Sequence, residues 1–158
     1  MKPEHKKWFI AVLVLQVALL GIWVGTKEAL LRTGKTVKLE LAPIDPRSLM
    51  QGDYVQLNYK ISTPPQGASL EGRYRVTLVL SKNENGIHQF ESLYEPSMAL
   101  DEDDAMITGW VRYEGQRLVF GIESYFVPEN TGRQVESTAR YGIVKLSKTG
   151  DALLVGVE

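Results

Sequence analysis

Few side chains in this sequence could act as nucleophiles, general bases or metal ligands. The 158 residues include no cysteine and only two histidines, His5 and His88. Disulfides, thiolate nucleophiles and cysteine-ligated metal centres are therefore excluded, and so is a His-rich metal site. A Ser-His-Asp triad would have to use His88, because His5 lies in a charged N-terminal tail. We place His88 on a strand at the edge of a sheet, with its imidazole facing solvent.

Carboxylates are more plentiful, and a glycosidase-type hydrolase would need two of them at a fixed separation. Glu123, Glu129 and Glu136 lie near one another in the sequence, but their pairing in space depends on the fold. Glu123 falls on the polar side of a predicted strand, so we interpret it as an exposed, solubilising charge. The acidic run 101–104 lacks the glycine and the ligand spacing of a calcium loop, so we interpret it as a charged loop. We expect no cofactor and no metal.

The most distinctive polar segment spans residues 43–61. Pro46 fixes a bend, Gly52 permits a positive φ, and Asp53 can accept hydrogen bonds from amides of the turn. Arg47 lies close enough along the chain to pair with Asp53 if the turn folds back. Tyr54 then begins a strand that alternates apolar and polar residues. The segment therefore predicts a polar turn that leads into a half-buried strand.

Residues 52–59 resemble the motif of the GDYXXLXY protein family. They read Gly-Asp-Tyr-Val-Gln-Leu-Asn-Tyr, which matches every fixed position, and the preceding Asp45-Pro46-Arg47 is also typical of that family. Residues 125–129, Tyr-Phe-Val-Pro-Glu, followed by Gly132 and Glu136, are similar to its second signature. The resemblance implies a small, membrane-anchored bacterial protein, in some cases encoded beside or fused to a multi-spanning membrane protein. It implies no reaction.

Two interpretations of these signatures stay open. The candidate binding residues are Arg47, Asp53, Tyr54, Tyr59, Tyr125 and Glu129. In a recognition site, Arg47, Asp53 and Glu129 would form a polar cluster for a ligand or partner. In a structural element, Asp53 would cap the turn, Arg47 would pair with it, and Tyr59 would pack in the core. We favour the structural interpretation, because backbone geometry explains a turn motif as well as chemistry does.

The first element that positions this segment is an apolar run at the N-terminus. Residues 8–24 include a single polar side chain, Gln16. As a helix they span roughly 25 Å, and Gly25 and Thr26 extend the run towards the ~30 Å hydrocarbon core of a bilayer. Three interpretations of this run are open: an uncleaved anchor, a cleaved signal peptide and a buried core helix. We favour the anchor, because the run is long and ends in bulky residues where cleavage requires small ones.

The rest of the chain has a hydrophobic period of two, which predicts half-buried strands. The inward-facing sets are Val37, Leu39 and Leu41; Val55, Leu57, Tyr59 and Ile61; Tyr74, Val76, Leu78 and Leu80; and Leu118, Phe120, Ile122 and Phe126. Only residues 129–140 are typical of a short helix. We therefore expect a mainly β protein: an N-terminal transmembrane helix, then an antiparallel β-sandwich or partly open barrel of about eight strands with one short helix.

These elements give two units, a cytoplasmic tail with an anchor helix (1–33) and an extracytoplasmic β domain (34–158). Residues 8–25 would contact the lipid bilayer of the bacterial cytoplasmic membrane, and the basic N-terminus would stay inside. The net charge of -1 argues against a nucleic-acid partner. We expect a binding or accessory module for a multi-spanning membrane protein or an envelope ligand. The alternatives are an envelope hydrolase that uses carboxylates and a purely structural tether.

Overall fold

The computed structural model describes residues 3–43, 54–63, 70, 72–112, 117–129 and 131–158. These residues form helices α1 (Pro3–Thr33) and α2 (Gly132–Thr138) and a 3₁₀ helix (Lys60–Ser62). The strands are β1 (Lys35–Glu40), β2 (Tyr54–Gln56), β3 (Arg75–Lys82), β4 (His88–Leu93), β5 (Ala105–Arg112), β6 (Arg117–Val119), β7 (Ser124–Phe126), β8 (Tyr141–Leu146) and β9 (Ala152–Val157). The predicted fold class, an N-terminal helix followed by a mainly β domain, is confirmed.

Helix α1 is continuous over 31 residues, which makes it roughly 46 Å long. Within its segment Lys7–Thr33, the most apolar window of 18 residues has a mean hydropathy of 2.3, and the segment is long and apolar enough to cross a membrane. The apolar side chains of residues 8–24 are exposed, so a buried core helix is excluded. Such a helix at an N-terminus is typical of a membrane anchor or of a signal sequence.

Seven strands form one curved sheet in the order β6-β5-β3-β4-β1-β8-β9, a half barrel, and β2 and β7 form a separate two-stranded sheet. The large sheet is mixed, whereas we expected antiparallel pairing throughout. The difference lies at β1 and β4, which run parallel and pair at Leu39 and His88. The β3–β4 hairpin fixes the direction of β4, and that hairpin enters the sheet with β4 beside β1. The sheet curls far enough that the Gly150 carbonyl oxygen accepts the Thr108 N–H at 2.9 Å.

The predicted alternation places the core correctly along most of the strands. The side chains of Val37, Leu39, Val55, Leu57, Tyr59, Val76, Leu78, Leu80, Leu118, Phe120 and Ile122 are all buried and belong to one cluster. Ile61 is also buried, but in the 3₁₀ helix, because the β2–β7 ladder ends at Gln56 and the chain enters this helix after an isolated bridge between Tyr59 and Leu41. Helix α2 occupies the predicted helical segment and is shorter than residues 129–140.

Two residues that the alternation assigns to the core are exposed. Tyr74 is 87% exposed: it precedes the first residue of β3, and although its carbonyl oxygen accepts the Val111 N–H at 3.0 Å, its side chain lies outside the core. Phe126 is 79% exposed. A turn at Gly121, with φ of +81°, separates β6 from β7, so the alternation restarts and Tyr125 packs against the core in place of Phe126. The assignment of both residues to the core was wrong.

Candidate functional site

The structure describes some of the candidate binding residues and not others. Arg47, Gly52 and Asp53 lie outside the described residues, so the predicted Arg47–Asp53 pair and the turn at Gly52 stay predictions. Tyr54 begins β2, while Tyr59, Tyr125 and Glu129 have defined positions. The structural description of the site below therefore concerns these four residues and their neighbours.

The two signature segments lie side by side. Strand β2 pairs antiparallel with β7, with Tyr54 opposite Phe126, Val55 opposite Tyr125 and Gln56 opposite Ser124. We call these six residues, 54–56 and 124–126, the motif ribbon. Beyond the ladder, the Leu57 N–H donates to the Glu123 carbonyl oxygen at 2.6 Å. Two segments about 70 residues apart in the sequence thus form one structural unit.

Tyr59, the last fixed position of the motif, is fully buried. Its hydroxyl donates a hydrogen bond of 2.9 Å to the Ile122 carbonyl oxygen. Its ring lies against Gly142 of β8, where an added Cβ would be 2.8 Å from the Tyr59 Cε1 atom. Burial, and secondarily the nearby Glu123 carboxylate, raise the pKa of Tyr59, so the phenol stays protonated and acts as a donor. Tyr59 thereby joins the turn before β7 to the half barrel.

Glu123 is buried, with only 7% of its surface exposed, so its interpretation as a solubilising surface charge was wrong. Its two carboxylate oxygens accept the N–H groups of Phe120 at 2.5 Å and Gly121 at 2.8 Å. Charge-assisted bonds of this kind fix a turn and satisfy backbone donors that would otherwise be buried without partners. The signal that could have revealed this role is the glycine two residues earlier, which marks a turn.

The other two candidates differ in their surroundings. Tyr125 is half-buried and packs against the core, whereas Glu129 is exposed at the start of the segment that leads to α2. A recognition cluster of Arg47, Asp53 and Glu129 stays a prediction. Among the described residues, no three His, Asp or Glu side chains are grouped so that they could hold a metal ion.

His88 contradicts its prediction in two respects. It lies on β4, an interior strand between β3 and β1, and it is only 4% exposed. Neither ring nitrogen has a hydrogen-bond partner within the described part of the chain. It helps to line a cavity of about 180 Å³ with the Lys60–Glu40 ion pair and Phe90 among the walls. Burial, followed by the charges of Lys35 and Lys82, lowers the pKa of His88, against a smaller opposite effect of Asp103.

The connection between α1 and β1 is short and closely packed. Leu30 of α1 is buried, and the Gly34 N–H donates to its carbonyl oxygen at 2.8 Å. The Lys145 Nζ atom donates to the Gly34 carbonyl oxygen at 3.2 Å. A Cβ on Gly34 would lie 2.5 Å from the Leu30 carbonyl oxygen and 3.2 Å from that of Leu146. The helix therefore passes into the sheet without a flexible linker.

Comparison with known proteins agrees with this arrangement of signatures. The family model described as GDYXXLXY protein matches residues 16–157, a range that runs from within α1 to the end of β9. No match was found among curated proteins or among solved structures. The matched range includes both strands of the motif ribbon, the buried Tyr59 and the turn that Glu123 fixes. The chain belongs to the GDYXXLXY protein family.

Proposed function

We propose that this protein is a membrane-anchored accessory module. In this proposal, α1 stays in the bacterial cytoplasmic membrane and presents the β domain, residues 34–158, on the extracytoplasmic side to a membrane-protein partner. The observation that carries the proposal is the junction of α1 and β1, where Leu30 is buried and Gly34 leaves no space for a side chain. A tether of this kind fixes the height of the β domain above the bilayer.

The length of the helix outside its apolar run limits what the β domain can reach. The run ends near Thr26, and residues 27–33 add only about 10 Å of helix before β1 begins. An envelope ligand far from the membrane would be out of reach of a domain held on so short and stiff a support. A protein that is itself embedded in the bilayer would be adjacent to it, and for this reason we favour a membrane-protein partner.

The orientation follows from the charges that flank α1. Three lysines, Lys2, Lys6 and Lys7, precede the apolar run, and two basic residues, Lys27 and Arg32, follow it, with one acidic residue on each side, Glu4 and Glu28. Because positive charge favours the cytoplasmic side, this asymmetry supports an inside N-terminus.

The hydrolase alternative has less support. Of the carboxylates considered for catalysis, Glu123 already accepts two backbone N–H bonds inside a turn, which leaves it poorly placed to meet a substrate. Glu129 is exposed. A structural tether without a partner is the other alternative, and the following experiment distinguishes it.

A flexible Gly-Ser insertion between Thr33 and Gly34 tests the proposal. In cells, chemical cross-linking of the full-length protein should capture a membrane protein, and the insertion should greatly reduce that product while the protein stays in the membrane fraction. The same insertion in the β3–β4 turn, between Glu84 and Asn85, is the control and should leave the product unchanged. Equal products from all three proteins, or no membrane-protein product from the unmodified one, would contradict the proposal.

A further inference from the structure

A cavity lies at the junction of α1 and the β domain. Its volume is about 810 Å³, and its walls come from the C-terminal part of α1, the loop before β5 and the β8–β9 turn. We call it the junction cavity. It is separate from the motif ribbon and from the cavity at His88, so neither signature accounts for it.

The wall that α1 supplies is a single stripe along the helix. Thr26, Ala29, Leu30 and Thr33 are spaced three and four residues apart and therefore lie on one face. The stripe begins where the apolar run ends and extends about 10 Å along the helix axis. In a protein whose α1 spans the bilayer, the cavity thus lies level with the lipid headgroups and the ends of the acyl chains nearest to them.

The cavity has an apolar wall and a charged rim. The wall includes Leu30, Leu100, Met106 and Leu146. The rim carries both signs of charge: Lys35 and Lys148 supply cations, and Asp101, Glu102 and Asp104 supply anions. The Lys35 Nζ atom donates to the carbonyl oxygens of Glu102 at 2.6 Å and Asp104 at 2.9 Å, which fixes one cation directly beside the acidic loop.

We propose that the junction cavity binds a zwitterionic phospholipid from the leaflet that faces the β domain. The lysines would contact the lipid phosphate, the acidic side chains would contact its ammonium group, and the apolar wall would cover the upper part of an acyl chain. An anionic lipid lacks the ammonium group and would leave the carboxylates repelled. A partner's apolar helix would bury the rim charges without partners, which is costly. The inference rests on the proposed function in one respect, that α1 stays in the membrane.

Native mass spectrometry of the full-length protein tests this proposal. The protein is reconstituted in vesicles of phosphatidylethanolamine and phosphatidylglycerol in equal amounts and released in a mild detergent. We expect one retained phosphatidylethanolamine. Ala29→Trp, which fills the cavity from the helix stripe, should reduce this adduct about tenfold, equivalent to about 1.4 kcal/mol of binding free energy. Leu31→Trp, on an exposed position of α1 that does not line the cavity, is the matched control and should retain the adduct.

The outcomes separate this inference from the proposed function. Adducts of equal abundance in all three proteins would mean lipid bound along the whole helix and would overturn the cavity assignment. A preference for phosphatidylglycerol would overturn the proposal that the charges of the rim bind a zwitterionic headgroup. The mass of the same protein isolated from cell membranes tests the anchor by itself. A chain that has lost α1 there refutes the proposed function, whereas an intact chain without a lipid adduct refutes only this inference.

Discussion

At the motif, the tyrosine that ends the GDYXXLXY pattern connects two parts of the fold through buried contacts. The Tyr59 hydroxyl bonds to Ile122 beside the motif ribbon, and the ring fills the space over Gly142 on β8. Both contacts are buried, and both depend on the size of the groups involved. We infer that the motif fixes backbone geometry at this position, a role that needs no ligand.

Gly142→Ala tests the role of this packing. The added Cβ would lie 2.8 Å from the buried ring of Tyr59, and the ring cannot move without losing its bond to Ile122. We expect a loss of about 1–3 kcal/mol in the free energy of unfolding, measured by thermal denaturation of the full-length protein in detergent. Gly156→Ala on the neighbouring strand β9 is the control, since nothing lies within 4 Å of its added Cβ. Equal stability of the two variants would contradict the structural interpretation of Tyr59.

The buried imidazole of His88 predicts a dependence of stability on pH. Its pKa in the folded protein is below the ordinary value near 6.5, first because of burial and then because of Lys35 and Lys82. As the pH falls below about 6.5, the unfolded chain takes up a proton that the folded chain does not, so stability decreases by up to about 1.4 kcal/mol per pH unit. His88→Leu should flatten this part of the stability profile, measured from about pH 7.5 to 5.5. A profile identical to that of the unmodified protein would show that His88 does not carry the effect.

Between elements, the contact of α1 with the β domain determines how the anchor holds the domain. Gly34→Ala would place a Cβ 2.5 Å from the Leu30 carbonyl oxygen and should displace Leu30 from its buried position. We expect faster cleavage at residues 30–35 in limited proteolysis and a loss of about 1–3 kcal/mol in stability. Gly25→Ala changes the same helix at a position with nothing within 4 Å and should behave as the unmodified protein does. If the two variants are cleaved at the same rate, the junction is not the rigid connection described above.

The elements also show how far the sequence alone could predict the structure. Alternation identifies an inward face only while a strand is uninterrupted, so it located Val37 and Leu39, and Val55 and Leu57, correctly. It failed at Phe126, beyond the turn that Glu123 fixes. The order of strands depends on contacts between distant segments, and for this reason the interior position of β4 and the burial of His88 were not foreseen.

The sequence also predicted only part of the candidate site. The resemblance identified the two signatures, and the structure brings them together in the motif ribbon. Sequence spacing could not show that Glu123 and Tyr59 satisfy backbone groups of the same turn, because the fold determines their separation. The junction cavity arises from the approach of α1 to two loops that are remote from it in the sequence.

In the molecule as a whole, a helix long enough to span a bilayer is followed, after the single residue Gly34, by the first strand of the β domain. With α1 in a bilayer, as we propose, the exposed apolar side chains of residues 8–24 would contact lipid, and the half barrel would lie close to the membrane surface. Its value to the cell would be to keep one face of the β domain at a constant height beside a membrane partner.

Labelling of Tyr74→Cys is a direct test of a retained anchor with the β domain outside the cytoplasm, because Tyr74 is exposed and the chain has no other cysteine. Spheroplasts are treated with a membrane-impermeant maleimide, and the intact mass of the protein from the membrane fraction is then determined. If α1 is retained and the β domain lies outside, as we propose, we expect a full-length chain that carries one label. A full-length chain without a label would place the domain in the cytoplasm, and a labelled chain that lacks α1 would show a cleaved signal sequence. Either result would contradict a retained anchor with an extracytoplasmic β domain.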